Sequence, residues 1–298
     1  RGAVVLALRL GLSPMLIGLT IVALATSMPE LLVTVTAGLE GVTDVGIGNV
    51  VGSNVANILL ILGVAALIKP IKVAPRMVVR DTVAMILATA VFIVYALMGK
   101  VGFFQGLAML GVLAIYLCLS YMLEQRRDSG AGEQEVLEEV GKRPCSMAMA
   151  LGLVAVGLGG LCLGSQFLID GAVDLAKAAG VSDTVIGITL VALGTSLPEL
   201  ATSIVAGLRG HSDVAVGNVL GSNIFNILLI VGVLAIITPF FVAPSVVKVD
   251  MWIMGAVSLL LLPMLVGCRG IGRFGGVFFL LLYAGFIFYQ LYSGRIAI

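Results

Sequence analysis

Two glutamates stand in the middle of long apolar runs, and each is preceded by the same set of oxygen-bearing residues. The first run reads Ala-Leu-Ala-Thr-Ser-Met-Pro-Glu and ends at Glu30; the second reads Ala-Leu-Gly-Thr-Ser-Leu-Pro-Glu and ends at Glu199. An ionised side chain costs about 3 kcal/mol at the centre of a membrane helix, so its presence there calls for a chemical reason. Pro29 and Pro198 lack an amide proton and crowd the preceding turn, which frees the carbonyls of Ala25 and Gly194. Freed carbonyls, the hydroxyls of Thr26, Ser27, Thr195 and Ser196, and a carboxylate make an oxygen-rich patch suited to a hard cation. Thr26 and Glu30 are spaced to share a helix face. Downstream, Asn49, Ser53 and Asn57, and again Asn218, Ser222 and Asn226, fall at a spacing of four. Each trio therefore lines one face of a helix, in register to converge with the glutamates. Gly48, Gly52, Gly217 and Gly221 read more simply as packing residues that let helices approach.

The doubling extends well beyond these motifs. Residues 11–75 align without a gap onto residues 180–244, with about 38 of about 65 positions identical, which marks an internal duplication. The chain has 298 residues, of which 60% are hydrophobic and 11% charged. Soluble domains carry about 25% charged residues, so the composition is that of a polytopic membrane protein. A net charge of +1 gives no reason to expect nucleic acid as a partner. A single histidine, His211, rules out a two-histidine zinc protease site, and the Gly-Lys pairs at Gly99 and Gly141 complete no phosphate-binding loop. Cys118, Cys145, Cys162 and Cys268 show no ligand or pairing pattern and read as small hydrophobes.

Apolar runs over 12–39, 42–68, 77–98, 102–123, 147–179, 182–208, 212–238, 246–267 and 272–292 are each long enough to span a bilayer. Residues 1–10 read as the remaining end of a further helix, because Arg1–Val4 aligns with Asp170–Val173 and the second copy has an apolar run upstream. The expectation is therefore all-α: ten transmembrane helices as two five-helix repeats, 1–123 and 147–298, with the first helix truncated at the N-terminus. A polar linker, 124–146, joins them. Lys69, Lys72, Arg76, Arg80, Arg126, Arg127, Lys142, Arg143, Arg209, Arg269 and Arg273 fall on one side. That bias makes the linker cytoplasmic and the native N-terminus external. An odd number of helices per repeat inverts one copy relative to the other, the layout of a secondary transporter with a midplane site.

These residues resemble the cation/calcium exchanger superfamily, the sodium/calcium and proton/calcium antiporters. The resemblance rests on both copies of the glutamate motif together with Gly-Asn-Val-Val-Gly-Ser-Asn at 48–54 and Gly-Asn-Val-Leu-Gly-Ser-Asn at 217–223. It implies a prokaryotic cell-membrane antiporter exchanging Ca2+ for Na+, with no cofactor and no enzymatic activity. Glu30 and Glu199 would be the central calcium ligands. Thr26 and Thr195, and Ala23 and Ala192 through their carbonyls, would add oxygens. Ser27, Ser53, Ser196 and Ser222 would line flanking sodium sites, with Asn57 and Asn226 near the middle. Some prokaryotic relatives carry an aspartate at one of the last two positions; asparagine at both leaves a formal charge of −2, enough for one Ca2+ or two Na+. A proton-coupled antiporter is the first rival, a cation channel the second and an intramembrane enzyme a distant third. A monomer is expected, with the first and sixth helices, taken as half-length, moving against the core. Asp44 and Asp213 occupy equivalent places and read as caps of the next helix or as a funnel for cations. Asp81 and Asp250 also match each other and read as N-terminal capping and helix-dipole residues rather than as ion ligands. Asp174 and Lys177 read as an ion pair at the membrane interface.

Overall fold

The computed structural model describes residues 14–72, 75–125, 146–178, 183–267 and 270–296. Residues 1–10, residues 126–145 of the linker with Cys145, and Cys268 lie outside them, as do the side chains of Cys162, Asp174 and Lys177. Helices make up nearly all of the described chain. They are α1 (Gly18–Thr26), α2 (Met28–Leu39), α3 (Thr43–Ile68), α4 (Pro75–Leu97), α5 (Phe103–Gln125), α6 (Met147–Ala178), α7 (Ile188–Thr195), α8 (Leu197–Leu208), α9 (Ser212–Ile237), α10 (Val246–Val266) and α11 (Arg273–Ile296). Among the described residues, 6 helices are long and apolar enough to cross a membrane, or up to 8 if each bent pair is one span.

The bent pairs are α1 with α2, at 47°, and α7 with α8, at 49°. Both breaks fall on the serine of the Thr-Ser-x-Pro-Glu motif, and Pro29 and Pro198 open the second segment. Proline is tolerated there because a first-turn residue has no intrahelical acceptor to satisfy. The apolar runs expected as single helices over 12–39 and 182–208 are therefore each split.

At the centre stand α3 and α9. Every residue from Gly46 to Ala56 in α3 and from Val214 to Phe225 in α9 is buried, so neither helix has a solvent or lipid face there. Both widen into π-helical turns, Asn57–Ile61 and Asn226–Val231. α3 packs on α7, and α9 on α1. At these crossings a Cβ on Gly52 would collide with the Ile188 carbonyl, and one on Gly221 with the Leu19 carbonyl.

Four two-residue strands tie the connections together. β1 (Ile71–Lys72) pairs antiparallel with β4 (Gly270–Ile271), and β2 (Lys100–Val101) with β3 (Phe240–Phe241). β1 and β2 bracket α4, while β3 and β4 bracket α10. The pairing therefore lays α4 and α10, which are copies of each other in sequence, side by side in opposite directions.

Three expectations change. α6 is not half-length but 32 residues long, roughly 48 Å at 1.5 Å per residue, more than the bilayer core needs without tilt. Asp44 and Asp213 sit inside the first turn of α3 and α9 with no side-chain cap bond, so they complement the helix dipole rather than cap. Asp81 and Asp250 lie beyond the first turn of α4 and α10, where a cap cannot act. Asp81 accepts from Arg80 Nε at 2.6 Å and Tyr116 Oη at 3.0 Å. Asp250 accepts from Gln290 Nε2 at 2.5 Å, so each carboxylate ties its helix to the next one in sequence.

Gly52→Ala and Gly221→Ala should each lower the thermal unfolding temperature of the detergent-solubilised protein by several degrees, since overpacking costs about 1–3 kcal/mol. Gly111→Ala, where nothing lies within 4 Å, is the control and should leave it unchanged.

Candidate functional site

The helix breaks place the two glutamates at the start of α2 and α8, facing each other's half. Glu30 and Glu199 are both 0% exposed. Ser196 Oγ donates to Glu30 Oε1 at 3.2 Å, and Ser27 Oγ donates to Glu199 Oε1 at 3.1 Å. Each carboxylate is thus held by the serine of the opposite motif. The threonines cross over as well. Thr195 Oγ1 donates to Asn49 Oδ1 at 3.0 Å, and Thr26 Oγ1 to Asn218 Oδ1 at 3.3 Å.

The asparagines of α3 and α9 face these crossings because the four-residue spacing holds them on one side of a fully buried helix. Their amide nitrogens look the other way: Asn49 Nδ2 donates to Thr34 Oγ1 at 3.2 Å and Asn218 Nδ2 to Ser203 Oγ at 3.3 Å. Thr34 and Ser203 were missed in the sequence. They lie one turn beyond each glutamate and are hydroxyl-bearing in both copies, a signal that would have found them.

The two copies differ at the next turn. Ser53 Oγ lies against α7, donating to the Ala192 carbonyl at 3.3 Å with Thr195 Oγ1 at 3.4 Å. Its counterpart Ser222 instead donates to Glu199 Oε1 at 3.3 Å. Ala23 and Ala192 do turn carbonyls into this layer, but both accept hydrogen bonds, from Ser27 N and Ser196 N and from the neighbouring threonines. Asn57 reaches Asn223 across the halves. Asn226 is fully buried and neither of its amide atoms has a partner.

The structure thus gathers Thr26, Ser27, Glu30, Ser53, Thr195, Ser196, Glu199 and Ser222 with the two alanine carbonyls into one hydrogen-bonded layer. Asn57 bonds to Asn223, which turns to Met85 and not to the layer, so no side-chain hydrogen bond among the described residues links Asn57 or Asn226 to it. On the glutamate-bearing and central helices, five buried side-chain oxygens have no hydrogen-bond partner: Glu30 Oε2, Asn54 Oδ1, Asn57 Oδ1, Glu199 Oε2 and Asn226 Oδ1. Among the described residues no group of three or more His, Cys, Asp or Glu side chains comes together. Two carboxylates surrounded by neutral oxygens is a donor set for a hard cation, not for a soft one.

An oxygen-lined polar core sealed inside long apolar helices is the arrangement of an integral membrane protein, and the family to which the chain belongs is one of transporters. The chain belongs to the sodium/calcium exchanger protein family, whose pattern matches residues 1–122 and 149–292. It is 38% identical to CaxA, a candidate antiporter of Alkalimonas amylolytica, over 96% of this chain and 90% of that protein. It is 31% identical to the sodium/calcium exchanger MaX1 of Methanosarcina acetivorans, over 96% of this chain and 91% of that one. A solved structure of the sodium-calcium exchanger NCX_Mj, soaked with 2.5 mM Na+ and 1 mM Sr2+, superposes with a TM-score of 0.79 at 32% identity, covering 96% of this chain and 90% of that one.

Asn49→Leu removes the buried bonds to Thr34 and Thr195, and Asn218→Leu those to Ser203 and Thr26. Each should destabilise the protein by about 1–3 kcal/mol, a loss that thermal unfolding in detergent would detect.

Proposed function

We propose that the protein is a secondary active antiporter that exchanges Ca2+ for Na+ by alternating access at a midplane site built on Glu30 and Glu199. The carrying observation is the pair of fully buried carboxylates, one from each half, each with an oxygen that faces no donor. Two negative charges so placed are neutralised by one Ca2+ or by two Na+, and the empty, doubly charged site is too costly to move across the bilayer. Competition for one set of oxygens then couples the two ions. Ca2+ is bound by Glu30 and Glu199 with Thr26, Thr195 and the Ala23 and Ala192 carbonyls. Na+ is taken beside Ser27, Ser53, Ser196 and Ser222, with Asn57 and Asn226 contributing amide oxygens between them. The crossed serine bonds favour Na+ over H+ as the coupling ion, since a proton on a carboxylate needs no flanking oxygens.

Two inverted repeats, 1–123 and 147–298, are the architecture for this exchange. The antiparallel pairing of β1 with β4 and β2 with β3 supports the inversion. The moving element is α6 together with its counterpart at the N-terminus. In support, the glycines of α6 at 152, 157, 159, 160, 164 and 171 have nothing within 4 Å of where a Cβ would stand, so no neighbour is packed against the helix at those positions. The protein works as a monomer in the cell membrane, with the linker 124–146 on the cytoplasmic side.

The test is Ca2+ uptake by proteoliposomes preloaded with Na+ or with choline at matched pH. Uptake should require internal Na+ and disappear in Glu30→Gln and Glu199→Gln. Uptake that ignores Na+ and follows a pH gradient would move the protein to the proton-coupled class. Uptake under neither condition would sink the calcium reading.

A further inference from the structure

A chain of polar groups leaves Asn57 and ends on a sulfur. Asn57 Nδ2 donates to Asn223 Oδ1 at 3.0 Å, and Asn223 Nδ2 donates in turn to Met85 Sδ at 3.3 Å. All three side chains are at most 1% exposed. A primary amide presents an acceptor on one side and donors on the other, and its two orientations fill nearly the same space. Something must therefore choose between them. A thioether sulfur can accept a hydrogen bond and has no proton to give. Met85 thus draws the NH2 of Asn223 toward α4, which leaves Asn223 Oδ1 facing Asn57. That oxygen can only accept, so Asn57 turns its own NH2 toward Asn223. Asn57 Oδ1 is left buried with no donor against it.

We infer that Met85, acting through Asn223, fixes the amide of Asn57 so that it presents its oxygen rather than its NH2 to the transported cation. Met85 and Asn223 are positioning residues; neither touches the ion. The inference rests on the reading of Asn57 as a ligand oxygen in the proposed site. With the amide reversed, the positive end of the NH2 dipole would face a dication. Sulfur is a weak acceptor, but the two orientations are otherwise so alike that a modest preference decides.

The duplication supplies an internal comparison. The counterparts of Asn57, Asn223 and Met85 are Asn226, Asn54 and Met254. Asn54 Nδ2 turns back on its own helix, donating to the Val50 carbonyl at 2.7 Å, and neither amide atom of Asn226 has a partner. Identical residues therefore form the relay in one copy only. In this conformation Asn57 is held and Asn226 is not.

Met85→Leu and Met85→Gln separate orientation from packing, because both replacements are close to methionine in volume. If Met85 only fills space, leucine is harmless and buried glutamine is the damaging change. If Met85 is the acceptor that sets the relay, the order reverses. The measurement is Ca2+ affinity of the purified full chain by equilibrium binding, with thermal unfolding recorded alongside. Met85→Leu should bind Ca2+ about five-fold more weakly with an unfolding temperature near wild type, the size of effect expected for one modest hydrogen-bond preference. Met85→Gln, which offers Oε1 as acceptor, should stay within about two-fold of wild type even where it unfolds earlier. Wild-type affinity in Met85→Leu overturns the inference and leaves the exchanger reading standing. A wild-type protein that binds no Ca2+ overturns the exchanger reading, and the inference falls with it. Should Met85→Leu not fold, Asn223→Leu and Asn54→Leu carry the test: binding is expected to weaken in the first and hold in the second, and equal losses overturn the inference.

Discussion

Two carboxylates buried away from solvent and from every described basic side chain set the terms for the rest of the fold. Each would cost about 3 kcal/mol in a membrane helix, and each is met by a serine hydroxyl from the other half of the chain. For those bonds to form, the glutamate-bearing helices must break beside the carboxylate and the central helices must lie close against them. Pro29 and Pro198 provide the break, while Gly52 and Gly221 let α3 and α9 approach to backbone contact. The all-round burial of α3 and α9 follows, because they carry the asparagines and serines that line the cluster from both sides.

Much of this was readable in the sequence because it was written there twice. A lone Thr-Ser-x-Pro-Glu motif in an apolar run would have been a curiosity. Two copies at matching positions, each followed by Asn, Ser and Asn at helical spacing, marked the elements and predicted their convergence. Six long spans follow the hydropathy closely. Where the reading failed, it judged an element from one local property. The runs over 12–39 and 182–208 were long enough for one helix apiece, yet the motif that makes them interesting also splits them. Asp81 and Asp250 stood near the start of an apolar run, but their helices begin earlier, and each bonds to a neighbouring helix instead.

Other features could not have been read from residue types at all. Ser53 and Ser222 are the same residue in the same motif, yet one bonds to α7 and the other to Glu199. Asn54 and Asn223 likewise differ, one folded back on its own helix and one bridging to α4. Sequence symmetry predicts equal partners, and a single conformation of two unequal halves breaks that symmetry. Met85 went unnoticed because a methionine in a membrane helix looks like any other apolar residue until its sulfur is seen opposite an amide.

The strand pairs and the crossed serines carry a consequence for how the protein is made. Each two-strand ladder takes one strand from each half, and Glu30 finds its hydroxyl 166 residues further along the chain. The first half leaves the ribosome with β1 and β2 unpaired and with a carboxylate that nothing yet covers. Contacts of such long sequence separation form late and slowly. The newly inserted first half is therefore an open, unfinished body that waits in the bilayer, and the arrival of the second half both closes the ladders and seals the acid.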